Sequence, residues 1–311
     1  MAAHLIGALL IVGVLAVLAP IQKNDASDQE RRDAAEVCQR GMCLATLWSP
    51  FWLAMAVATQ HLPNVPLWRI MALGLPMAAG GLLLSPVMFA RGIGLGGLWR
   101  AVLALRPVVF PVALCAATIT LLAGFTSLTT IQSVAIAVPP LCAIGLIGLG
   151  LRAMKSAAGD AVRGMATVAH EIVLLTVALA LGRVLELVLA EIGMTETIAA
   201  LNPPALLLIA VTVIGITAAS LAGIHQVVSM TVMLVLLAPL QSGLSDLALM
   251  EAALVGWAFA SMIGVSAESV ATAGSMFRIP MEQLVLGPNL KFVAVYGCAA
   301  ILALGAVNSL T

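Results

Sequence analysis

Ten apolar runs follow one another along the 311-residue chain, at about 5–20, 41–60, 68–90, 101–126, 128–151, 165–190, 204–222, 227–240, 250–276 and 289–309. The connectors between them are short. About 20 apolar residues cross the hydrocarbon of a bilayer, and lipid offers no partner to backbone polar groups, so runs of this kind fold as helices. Composition agrees: 62% of the residues are apolar and 9% charged, against about 45–50% and about 25% in ordinary soluble domains. The expected fold class is therefore all-α, a polytopic membrane protein with the lipid bilayer as its first partner. With 14 basic and 14 acidic residues the net charge is zero, which leaves no electrostatic case for nucleic acid. The five cysteines form no CxxC pair and read as small hydrophobes rather than a disulfide framework. The first run has no basic residue before it and no clear small-x-small site after it, so it is not read as a cleaved signal.

Orientation follows the placement of Lys and Arg. Arg91, Arg100 and Arg106 flank one connector, and Arg152, Lys155 and Arg163 another, both assigned to the cytoplasmic side. Connectors near 125–130 and 191–204 carry neither residue and fall outside. Counting backward places the polar stretch Gln22 to Arg40 inside; it holds nine of the 28 formal charges and reads as a solvated loop with one or two amphipathic turns. Counting forward, the segment 204–240 enters and returns with its turn at Gly223 to Gln226. Two spans or a re-entrant hairpin both satisfy this count; the second arm is only about 14 residues, short of a full crossing, which favours the hairpin.

Two parts of the chain resemble each other. Short apolar arms end in Leu18-Ala19-Pro20 and Leu237-Ala238-Pro239. Each is followed by a polar loop and an apolar helix carrying a small polar break, Trp48-Ser49-Pro50 in one and Val265-Ser266-Ala267-Glu268 in the other. A half-helix, a proline-containing turn and a new helix complete both copies. The first polar loop is counted inside and its counterpart, 241–249, outside, so the copies relate by inverted topology. Interrupted helices in inverted repeats place a binding site near the bilayer midplane. Met1 aligns near Ser220, so the first copy lacks an opening arm. The chain is then expected to be short at its N-terminus, or to take that part from elsewhere.

The pattern resembles the ion transporter superfamily, which includes the divalent anion:sodium symporters, the arsenite pump membrane subunit and the large membrane subunit of TRAP transporters. The resemblance spans 4–90 and 200–309. It implies inverted repeats 1–90 and 201–311 around scaffold helices 91–200, a homodimer, and a multi-pass protein of the bacterial inner (plasma) membrane. It further implies secondary active transport of a small anion. The symporters carry Ser-Asn-Thr at their tips and Thr-Pro-x-Asn in their broken helices. Here Gly223-Ile224-His225-Gln226 forms the tip, Ser49-Pro50 the first break and Ser266-Ala267-Glu268-Ser269 the second.

The candidate substrate- and ion-binding residues are thus Ser49, Pro50, Gly223, His225, Gln226, Ser266, Glu268, Ser269 and Thr272. A carboxylate at membrane depth costs about 2.5–3.5 kcal/mol and marks an ion or substrate path. Burial of Glu268 is expected to favour its protonated form; its alternative role is a carboxyl joining helices. Glycine at 223 lets the chain turn, and N–H groups opening the returning helix can hold an anion. His225 adds a switchable charge or merely caps the turn. Pro50 frees backbone carbonyls, or is a plain kink beside Trp48 and Trp52. Ser266, Ser269 and Thr272 supply hydroxyl ligands or bridge helices. His170-Glu171 and Arg183/Glu186 are weaker candidates, and His4 and His61 are expected to be wet. No enzyme is expected, because ATP-binding, zinc-protease and serine-hydrolase signatures are absent. No cofactor is expected either. The coupling ion is read as H⁺ ahead of Na⁺, since titratable Glu268 and His225 stand where the symporters hold neutral residues. A partner-dependent membrane subunit is the alternative.

Overall fold

The computed structural model describes residues 2–21, 25–89, 106–128, 130–147, 154–159, 180–185, 187–189, 191–240 and 243–310, with positions 150, 173, 176 and 177 between them. The expected scaffold segment 91–200 lies partly outside these residues, and His170, Glu171 and Glu186 lie outside them. Every regular element among the described residues is helical. Among the described residues, three helical segments are long and apolar enough to cross a membrane: Leu67–Phe89, Asp246–Phe277 and Met281–Asn308.

The N-terminal apolar run is two short helices, α1 (Ala2–Leu10) and α2 (Gly13–Leu18). They are separated by a bend at Ile11, whose φ of 51° lies in the left-handed region. A β-branched residue rarely accepts that conformation, so nothing in the local sequence announces the bend. The polar stretch is more ordered than a loop with one or two turns. It forms α3 (Asp28–Cys43), opened by a capping box in which the Ser27 hydroxyl accepts from the Glu30 N–H and the Glu30 carboxylate accepts from the Ser27 N–H. Two N-terminal donors are thereby satisfied reciprocally. A 3₁₀ turn at Leu44–Leu47 follows, then five non-helical residues, then α4 (Leu53–His61) and α5 (Leu67–Phe89).

Further along come α6 (Arg106–Phe125), α7 (Thr130–Ile147) and α8 (Met194–Ala200). The hairpin is α9 (Ala205–Leu221) and α10 (Gln226–Leu237), turning at Gly223, where φ is +90°. Next is α11 (Asp246–Ile263), interrupted at 264–267 and resumed as α12 (Glu268–Phe277). The chain closes with α13 (Met281–Val285) and α14 (Pro288–Asn308).

The core forms around α11, which packs against α9, α10, α14 and the 3₁₀ turn. Its residues are buried from Ala248 through Ile263, on every face, as expected of a helix without an amphipathic stripe. At the periphery Val87, Leu286 and Leu302 are 82%, 72% and 64% exposed. That much exposed apolar surface is poorly suited to water and well suited to acyl chains.

Candidate functional site

A cavity of about 320 Å³ lies between the first interrupted helix and the hairpin with its following break. Its walls come from four places. The bend contributes Ile11 and Val12, and the first break Trp52 and Leu53. The hairpin tip supplies His225, Gln226 and Val227. The second interrupted helix supplies Trp257, Ser261 and the run from Val265 to Ser269, with Ala271. Both breaks therefore open onto one space.

Three of these wall segments are helix beginnings. Trp52 is the N-cap of α4, His225 of α10 and Ala267 of α12. The first N–H groups of a helix lack intrahelical acceptors, and the aligned peptide dipoles place roughly half a positive charge there. No side chain caps α4 or α12. At α10 the His225 Nδ1 accepts the Val227 N–H at 3.3 Å. An Nδ1 that accepts carries no proton, so this cap fits the neutral imidazole. A site of this kind attracts anions.

Two buried polar atoms on the wall have no hydrogen-bond partner among the described residues: the Trp52 indole Nε1 and the Gln226 Oε1. Trp52 is 4% and Gln226 7% exposed, and such groups are normally satisfied. The Gln226 Nε2 makes only a long bond to Ser261 Oγ, 3.4 Å. Among the described residues lining the cavity there is no Lys or Arg; Glu268 supplies the one carboxylate.

The tip is stitched to the second break. Ser266 Oγ donates to the Ile224 carbonyl at 3.0 Å and lies 3.3 Å from Ser220 Oγ, while the Val265 N–H donates to the Ser220 carbonyl at 3.2 Å. Gly264 makes this approach possible, since a Cβ there would collide with Ser220 Oγ and the Ala260 carbonyl. Ser269 Oγ donates to the Ser261 carbonyl across the interruption.

Of the residues expected from sequence, His225, Gln226, Ser266, Glu268 and Ser269 meet on this cavity. The others lie off its wall. Gly223 sets the turn behind the tip. Ser49 is fully buried, donating to the Ala8 carbonyl at 2.6 Å and accepting from the Phe51 N–H. It and Pro50 shape the first break, and Thr272 lies a turn further along α12. Glu268 is exposed at the first turn of α12, so the expected burial is not found. His4 is not wet. It is 5% exposed, its Nδ1 2.9 Å from the Gly41 carbonyl and its Nε2 accepting from Trp48 Nε1 at 3.0 Å.

Two features escape the sequence reading. Glu251, fully buried in α11, has neither carboxyl oxygen hydrogen-bonded among the described residues. Its signal is a lone acid at the margin of an apolar run. The second is a buried polar cluster joining α3, α5 and α14. Arg40 donates to Asn289 Oδ1 at 2.6 Å and Ser85 Oγ at 2.9 Å, pairs with Glu36 at 3.6 Å, and lies over the Phe89 ring. Arg32 holds the other Glu36 oxygen at 3.1 Å. Burial pushes the Glu36 carboxyl above its ordinary value, while the Arg32 hydrogen bond and the Arg40 and Arg32 charges pull it back in part.

Compared with known proteins, the chain matches no family model, no curated protein and no solved structure.

Proposed function

We propose that this protein is a secondary active transporter, a permease for a small anionic metabolite coupled to H⁺ or Na⁺. One observation carries the reading: three helix N-termini, two of them uncapped, open onto a single cavity between two interrupted helices. Interrupted helices whose positive ends face a central chamber suit anion binding and release in transporters. The order of elements lends support. An apolar arm, a helix, a break, a half-helix, a turn and a closing helix occur from α2 to α5 and again from α10 to α14, as inverted repeats of an ion-transporter-like permease would require. Titratable Glu268 and His225 at the cavity favour H⁺ as the coupling ion. On this reading the protein is a multi-pass permease of the bacterial inner membrane, with one repeat's hairpin and broken helix rocking against a scaffold of about 101–190.

Uptake by proteoliposomes of the purified chain tests it. An imposed pH gradient should drive accumulation of a small carboxylate, with a sodium gradient as the comparison. Glu268→Gln should lower gradient-driven accumulation at least about tenfold, as expected when an acid–base group is lost. Uptake indifferent to both gradients and to this substitution would refute the proposal.

A further inference from the structure

The same cavity bears on which anion it takes. Its positive character comes from backbone dipoles alone, because no Lys or Arg stands among the described residues of its wall. Glu268, on that wall, opposes any second negative group, and like charges brought together cost several kcal/mol. A dicarboxylate therefore fits poorly. An amine without a carboxylate fits no better, since it would face the uncapped starts of α4 and α12. The arrangement offers an anion pole and a carboxylate together, and the matching ligand carries both signs.

We infer that the occupant is a neutral amino acid in its zwitterionic form, with its carboxylate at the helix N-termini and its ammonium against Glu268. This rests on the reading of the cavity as the transport site, and replaces the net anion of that reading by a carboxylate ligand that carries its own ammonium. Trp52 and Trp257 line the space, and aromatic faces attract ammonium groups. The unpartnered Trp52 Nε1 supplies a donor for a carboxylate oxygen, and Gln226, whichever way its amide is turned, leaves one polar end for the ligand. Ile11, Val12 and Leu53 are apolar and suit an aliphatic side chain. A volume of about 320 Å³ lies near the lower end of ligand pockets, about 300–1,000 Å³, which fits a small or medium amino acid.

The test uses the purified full chain in lipid nanodiscs. Binding of each common neutral amino acid is measured by calorimetry beside its deaminated acid and its decarboxylated amine, with succinate as the dicarboxylate. For valine the analogues are 3-methylbutanoate and 2-methylpropylamine. At least one amino acid should bind about tenfold or more tightly than both of its analogues, about 1.4 kcal/mol. Glu268→Gln should weaken that amino acid about tenfold and strengthen its deaminated acid, while Glu268→Asp retains part of the preference. A merely structural Glu268 would move both ligands the same way, and that result overturns the assignment. Succinate or a simple acid binding while every amino acid is silent also overturns it, yet leaves the anion cavity standing. Silence from all four classes removes both.

Discussion

Gly264 is a residue for which the surroundings leave no alternative. With Ser220 Oγ and the Ala260 carbonyl occupying the place of a Cβ, Gly264→Ala must push the hairpin tip away from the second break. Overpacking of this sort costs about 1–3 kcal/mol, so a lower melting temperature in detergent should accompany loss of substrate binding. Glu251 predicts the opposite sign. Its two carboxyl oxygens find no partner among the described residues, and replacing an unsatisfied buried polar group by an apolar one of similar size is neutral to stabilising. Glu251→Met should leave the melting temperature unchanged or raise it by a few degrees. Glu36 sets a pH dependence. Its folded carboxyl holds a proton above the ordinary value of 4.5, so its contribution to stability is complete below that value and declines as pH rises through the folded one. Melting temperatures recorded upward from pH 4 should show this decline, and Glu36→Gln should flatten it.

At the scale of elements, the Glu36, Arg40 and Asn289 cluster ties α3 to the start of α14. Gly287, the N-cap of α14, sits so near the Glu36 carboxylate that a Cβ would collide with it, and a negative charge there suits the positive end of a 21-residue helix. Breaking a buried pair by removing one partner costs about 3–5 kcal/mol. Arg40→Met should therefore lower the melting temperature far more than substitution of half-buried Arg31. Interrupted helices were legible in the sequence because Ser49-Pro50 and Ser266-Ala267-Glu268 set small polar residues and proline inside apolar runs, where uniform helix has no use for them. The hairpin turn was legible through Gly223. The Arg40 cluster was not, since its partner Asn289 lies 249 residues away at the edge of an apolar run, and distance in sequence carries no periodicity. Nor was the bend at Ile11, where tertiary packing overrides what a β-branched side chain prefers. Glu268 was legible as a site residue, but its exposure depends on where the second break opens.

For the molecule as a whole, apolar composition foretold lipid, and the structure distributes that apolarity between a sealed central helix and outward-facing neighbours. Cys298, exposed and midway along α14, gives a direct check. Embedded in acyl chains, it should react with an apolar maleimide and resist a charged, membrane-impermeant one. Equal labelling by both would place α14 in water.

The stitches between hairpin tip and second break have a consequence for traffic. Ser220, Ser266 and the Val265 amide bind those two loops into one plate, while Ser49, through the Ala8 carbonyl, ties the first break to α1 just before the bend. If the cavity carries solute as proposed, its path opens along the seam between these two plates.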